Sequence, residues 1–249
     1  MAAADSRSLI ETLVGFDTTS AKSNLALIEF LQARLAEHGV AARLVHDETG
    51  RKANLYATVG PQDRPGVLLS GHSDVVPVAG QAWTGDPFAV READGRLYGR
   101  GTADMKSFLA VAFAYLPVMA AAELKTPIHI AVSYDEEVGC LGVRRLLEML
   151  NGLPVKPALC IIGEPTGMRV VVAHKGKQAY RVRVRGLACH SSLAPQGVNA
   201  IDVAAELAVF LRRLARGQAE AGRRDDAYGV PFSTINTGRI EGGTALNIV

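Results

Sequence analysis

Acidic side chains stand where the strands of this sequence end. The segment SYDEEVGC, residues 133–140, follows the apolar and β-branched run TPIHIAV, so Asp135, Glu136 and Glu137 arrive together as the chain leaves a core strand. GVLLS runs into Gly71, His72, Ser73 and Asp74. ALCIIG runs into Glu164 and Pro165, and YGRGTADMK carries Asp104 in a loop ahead of an apolar helix. Ligands of open α/β sheets bind beyond the carboxyl ends of the strands, so these side chains are expected on one rim. Carboxylates crowded there repel one another, and several would have to protonate unless cations neutralised them. One imidazole with several carboxylates suits zinc, and a two-metal site about 3.5–4 Å across needs a carboxylate shared by both ions. Two dications with Asp104, Glu137, Glu164 and one hydroxide sum to zero charge.

Roles divide within the cluster. Glu136 and Glu137 are adjacent, so their side chains point in different directions, and one can ligate while the other faces the water. His72 and Asp74 are two apart on an extended segment and share a face. The aspartate is therefore expected to accept the second imidazole N–H and fix its tautomer. Asp135 reads as structural.

Holding these groups in place requires a scaffold, and hydrophobic periodicity supplies one. DSRSLIETLVGF reads as a helix with Asp5 as N-cap and Leu9, Ile10, Leu13 and Val14 on one face. A second helix runs from about 24 to 38, with Leu25, Ile28, Leu31 and Leu35 at helical spacing, and stops at Gly39. VAARLVH, NLYATV, GVLLS, IHIAVS and ALCIIG read as strands. Helical stretches near 105–120 and 140–150 separate the last three, the alternation of an α/β sheet. From residue 177 the texture changes: QAYRVRVRGLA alternates with period two, NAIDVAAELAVFLRRLA is an amphipathic helix, and PFSTINTGRIEGGTALNIV reads as further strands. A second, α+β domain starts there and stops inside strand-like sequence, as a fragment would.

Composition excludes several classes. At 48% apolar and 21% charged residues the chain can bury a core, while a net charge of +2 with dispersed Lys and Arg carries no electrostatic footprint for nucleic acid or anionic lipid. Cys140, Cys160 and Cys189 are too few and too scattered for a disulfide framework or a zinc ribbon, which fits a reducing cytosol. Asp5 and Glu11 interrupt any secretory apolar stretch at the N-terminus, and FLAVAFAYLPVMAAA, broken by Pro117, is too short for a membrane span. Cys189 beside His190 lacks the activating constellation of a thiol nucleophile and reads as packing. His129 reads as core or edge and His38 and His46 as surface, while His174 stays open between a site and a strand position.

The stretches SGHSDVVP, GRLYGRGTADMKSF, DEEVGCLG, IIGEPT, AHKGK, HSSLAPQGVNAI and GRIEGGTALN occur in that order over nearly the whole chain. Together they resemble the aminoacylase and carboxypeptidase family of co-catalytic zinc hydrolases. The resemblance implies a zinc-exopeptidase-like α/β/α catalytic domain over 1–176, and an inserted α+β dimerisation or lid domain that starts at 177 and is truncated at 249. It implies that His72, Asp104 and Glu164 hold one Zn2+, that Asp104 and Glu137 hold a second, and that Co2+ can substitute. Glu136 would be the general base and Asp74 the group behind His72. The implied reaction is amide hydrolysis, in which Glu136 takes a proton from water acidified by the ions and later protonates the departing amine.

Within that resemblance GTADMK, AHKGK and GVNAI are similar to members that release acetate, which implies N2-acetyl-L-ornithine as substrate and a step of arginine biosynthesis, over a desuccinylase or a carboxypeptidase. A non-catalytic binding or dimerisation module is the competing reading from another class. The resemblance further implies a homodimer through the inserted domain, with His190 stabilising the tetrahedral intermediate of the partner subunit and Asn247 touching the N-acyl amino acid. It implies a cis peptide between Asp104 and Met105. The family draws a further histidine ligand from a later C-terminal segment, so these 249 residues alone are expected to form one firm metal site and one weak one, with little turnover.

Overall fold

The computed structural model describes residues 2–249, which fall into two compact units parted after Arg169. In the first unit helix α1 (Ala2–Gly15) contains Asp5 rather than starting at it, because the alanines before Asp5 are strong helix formers and extend the helix backwards. Leu9, Ile10, Leu13 and Val14 are buried on its inner face. Helix α2 (Leu25–Ala36) buries Leu27, Ile28, Leu31 and Leu35, and Gly39 follows at φ 69°, a left-handed conformation that glycine adopts without steric cost.

Strands β1 (Ala42–His46), β2 (Ala53–Val59) and β3 (Val67–His72) come next, followed by a two-stranded hairpin, β4 (Arg91–Ala93) and β5 (Arg96–Tyr98). Asp94 and Gly95, at φ 51° and 69°, make the hairpin turn, and the Asp-Gly pair is its sequence signal. The helix expected over 105–120 is two helices, α3 (Lys106–Ala114) and α4 (Leu116–Ala121). Pro117 lies in the first turn of α4, where its missing N–H leaves no bond unmade. Strand β6 (Ile128–Ser133), helix α5 (Val143–Asn151) and strand β7 (Leu159–Ile162) complete the unit.

These strands form one mixed sheet of order β1-β2-β6-β3-β7, antiparallel from β1 to β6 and parallel from β6 to β7. His72 pairs opposite Ser133 and Ser70 opposite Ile162, so the carboxyl ends of β3, β6 and β7 share a rim. Strand β2 runs the other way, which brings its first residues to that same rim. Side chains alternate across the sheet. Leu55, Ala57, Ile130 and Val132 face a core with α1, α2 and α3, while Tyr56, Leu68 and Ala131 face Leu146 and Met149 of α5, giving three α/β/α layers. Strand β7 lies at the sheet's edge, and its Leu159, Ile161 and Ile162 are 57%, 46% and 62% exposed.

The second unit holds a 3-10 helix (Ser191–Gln196) and α6 (Ala200–Ala221), which the Asn199 side chain caps by accepting from the N–H groups of Ile201 and Asp202. The strands expected in 178–188 and 231–249 do not form ladders. Isolated bridges join Leu187 to Val198 and His190 to Ile248. Alternation specifies two faces, but a strand exists only with a hydrogen-bonded partner. Among the described residues no helix is long and apolar enough to cross a membrane.

His129 is a core histidine. Its Nδ1 lies 2.8 Å from the Tyr56 hydroxyl and 2.9 Å from that of Thr58, while its buried Nε2 has no hydrogen-bond partner among the described residues. Burial lowers its pKa below 6.5. A depressed imidazole leaves stability intact above the unfolded value and removes it as pH falls through the folded value. Urea melts should therefore lose stability below pH 6.5 more steeply for the wild type than for His129→Gln; parallel curves for the two proteins would contradict this.

Candidate metal centre

His72 is the last residue of β3 and is buried. Its Nδ1 lies 2.8 Å from the main-chain oxygen of Asp74 and 3.5 Å from that residue's Oδ1. The short bond thus goes to the Asp74 main chain, whereas the spacing had suggested its carboxylate. A carbonyl only accepts, so Nδ1 carries the proton and Nε2 is the nitrogen left for a cation. Nε2 faces Asp104 Oδ1 at 2.9 Å, Glu164 Oε1 at 3.6 Å and Glu136 Oε2 at 3.8 Å. The Asp104–Met105 peptide is cis, and the Met105 sulfur accepts from the His72 N–H at 3.3 Å.

The Asp74 carboxylate has other work. Oδ1 accepts the Glu136 N–H at 3.0 Å, and Oδ2 accepts the Glu137 N–H at 3.2 Å and the Ser20 hydroxyl at 2.7 Å. It therefore orders the acidic turn that follows β6. Asn54 pins both ends of that turn, with its Nδ2 donating to Gly142 O at 2.9 Å and its Oδ1 accepting from Tyr134 N at 3.4 Å. A Cβ at residue 142 would lie 2.1 Å from Tyr134 O, so only glycine fits. Cys140, at φ 53°, brings its sulfur to 3.4 Å from Glu136 Oε1.

Charge is distributed unevenly over this rim. Burial opposes ionisation of Asp74, but the bonds from His72, Ser20 and the Glu136 N–H outweigh it and hold the carboxyl below its ordinary value. Glu137 and Glu164 go the other way: burial first, and then the charge of Asp104, raises both. Burial also disfavours the charged form of His72, yet the hydrogen bond and charge of Asp74, with the charges of Asp104 and Glu164, push its pKa up to about 9. Beneath the rim, fully buried Lys106 donates to Phe16 O at 2.6 Å. Burial lowers its pKa to about 8 against the pull of Asp17 and Asp74.

Two trios have ligand atoms within 4.8 Å of one another, His72–Asp104–Glu137 and His72–Glu136–Glu164. That spacing, one nitrogen with carboxylate oxygens, fits a divalent cation. Both trios draw on a single nitrogen, His72 Nε2. Two ions could therefore not both take the imidazole of His72, and the second would rest on carboxylates among the described residues. His72, Asp104, Glu136, Glu137 and Glu164 all converge here. His190 and Asn247 belong to the second unit, where Ser191 N donates to Asn247 O at 3.0 Å and the exposed His190 caps the 3-10 helix, its Nδ1 accepting from Ser192 N at 3.2 Å. Asn54, Ser20 and Lys52 were not singled out from the sequence. Their partners lie tens of residues away, and no local pattern marks them.

The model of peptidase family M20/M25/M40 matches residues 68–237, more than half of the chain. The chain belongs to this family. M20 members are metal-dependent, in keeping with the donor set above. The acetylornithine deacetylase of Pasteurella multocida (strain Pm70) is 36% identical over 237 residues, 95% of this chain and 61% of that protein. The acetylornithine deacetylase of Proteus mirabilis (strain HI4320) is 37% identical over 244 residues, 97% of this chain and 62% of that protein. The chain thus spans about three fifths of the length of these relatives. A tripeptidase from Staphylococcus aureus shares the fold with a TM-score of 0.61 at 20% identity, covering 99% of this chain and 63% of its own. An aminopeptidase from Bacillus cereus does so with a TM-score of 0.55 at 24% identity and the same coverage.

An ion at His72 needs neutral Nε2, whereas the metal-free imidazole is protonated at pH 7. The raised pKa stabilises the metal-free fold below pH 6.5, and that contribution is lost as pH rises through about 9. Calorimetric titration with zinc at pH 7 in buffers of different ionisation enthalpy should register release of about one proton from His72, and apparent affinity should climb toward pH 9. Affinity independent of pH between 6.5 and 9 would refute the assignment.

Proposed function

We propose that this chain is the metal-binding part of an amidohydrolase that removes the acetyl group from N2-acetyl-L-ornithine, giving L-ornithine and acetate in a reducing cytosol. The observation that carries this reading is identity of 36% and 37% to two acetylornithine deacetylases over 95% and 97% of the chain. The convergence of His72 with four acidic side chains supports it. The catalytic part would be residues 1–176 and the dimerisation part residues 177–249.

His72, Asp104 and Glu164 are assigned to one zinc and Asp104 with Glu137 to a second; cobalt suits the same nitrogen and oxygen donors. Ions there would supply Lewis acidity, polarising an acyl carbonyl and acidifying water. The chain's own groups do the rest. Glu136 has its main-chain N–H tied to Asp74 while its carboxylate stays partly exposed, so it can take a proton from water and return it to the departing amine. Asp74 keeps the acidic turn and the imidazole aligned through separate atoms. In the proposed homodimer the exposed His190 donates to the oxyanion in a second subunit, and Asn247 touches the substrate.

Replacing Glu136 by Gln keeps its shape and removes its basicity. Full-length Glu136→Gln should retain its metal, measured by elemental analysis, while turnover of N-acetylornithine drops about 10²–10⁴-fold. Metal lost in step with the rate would make Glu136 a ligand instead. Parallel assays with N-succinyl-diaminopimelate and a dipeptide test the substrate: faster turnover of either displaces acetylornithine.

A further inference from the structure

We propose that Lys52 is a positioning residue for Glu136 and Glu137, gripping the acidic turn and the acceptor of that turn at the same time. Its Nζ lies 2.5 Å from Asp135 Oδ1 and 2.5 Å from the main-chain oxygen of Ser20. The functional meaning of this grip rests on the metallohydrolase reading above; the geometry does not.

Lys52 enters β2 at the rim, because that strand runs antiparallel to β6. Its main chain is fixed there, donating to Asp47 Oδ1 at 3.0 Å and accepting from Asp47 N at 2.9 Å. Only 16% of the Lys52 side chain and 15% of that of Asp135 are exposed, so the pair is sheltered from the water and salt that weaken surface ion pairs. Asp135 has φ 54°, a left-handed conformation that an L-residue keeps only when its surroundings hold it. Lys52 holds its carboxylate, and the Leu141 N–H bonds its carbonyl at 2.9 Å. With Asp135 fixed so, the next two N–H groups point at the two oxygens of Asp74.

The second arm acts on Asp74 itself. Ser20, whose carbonyl Lys52 binds, donates its hydroxyl to Asp74 Oδ2 at 2.7 Å. One ammonium therefore fixes the donors of the turn through Asp135 and their acceptor through Ser20. A base and a ligand on consecutive residues require this, since a small rotation of either peptide would swing both carboxylates.

Lys52→Met keeps the length of the stem and removes the charge. In the metal-free full chain, exchange of the Glu136 and Glu137 amide protons should quicken about tenfold, while that of Leu55 and Val132 within the sheet stays unchanged. Cobalt affinity should fall roughly 10–100-fold, and kcat should fall with KM little altered. Unchanged exchange with unchanged cobalt affinity overturns the inference, as does faster exchange that leaves cobalt affinity intact. Should Lys52→Met fail to fold by circular dichroism, Asp135→Asn carries the same test, because it breaks the ion pair and leaves the Lys52–Ser20 bond. A wild-type protein that binds no cobalt and hydrolyses no amide would sink the functional reading, and the two amide exchange rates would still decide whether Lys52 holds the turn.

Discussion

Like charges a few ångströms apart set the terms for this molecule. Two carboxylates 4 Å apart repel by about 4 kcal/mol at an effective dielectric of 20, and five surround His72. The fold meets that repulsion in two ways. Asp74 is saturated with hydrogen-bond donors and held ionised. Asp104, Glu137 and Glu164 gather around Nε2, with Asp104 Oδ1 at 2.9 Å from it, and there Glu137 and Glu164 resist ionisation. The acid held ionised orders the turn, and the acids raised by their surroundings lie where a cation would compensate them.

The framework depends on strand direction. Parallel strands β6, β3 and β7 deliver their carboxyl ends to one rim, and antiparallel β2 delivers its amino end to the same place. Chain exits carry the acids, while the entry of β2 carries Lys52 and Asn54, whose side chains bind Asp135 and Gly142 of the turn after β6. Burial on both faces of the central strands makes the arrangement rigid, since Leu55, Ile130 and Val132 pack on one side and Tyr56 and Ala131 on the other. Membership of a metal-dependent family is in keeping with this rim, where an imidazole and several acids lie close enough to hold a cation.

The two units contrast in how their sequence patterns are realised. In the first, the apolar runs pair with one another and form a ladder. In the second, α6 forms with its Asn199 cap, yet the strand-like segments make only isolated bridges and no ladder. Helices satisfy their own main chain and need only local sequence; strands borrow their hydrogen bonds from elsewhere.

Strands β1, β2, β3, β6 and β7 lie within a residue or two of the apolar runs that mark them, and the acids at their ends are where the runs stop. Those features are local, set by side-chain polarity and period, and so the sequence by itself determined them, along with the α/β class and the cluster of His72, Asp104, Glu136, Glu137 and Glu164. Only the tertiary structure decided which atom each group uses. The Asp74 main chain binds His72 while its carboxylate binds the acidic turn, Lys52 reaches Asp135 across 83 residues, and β7 lies exposed at the edge. A hydrogen bond is specified by distance and direction between segments remote in the chain, and polarity along a sequence carries neither.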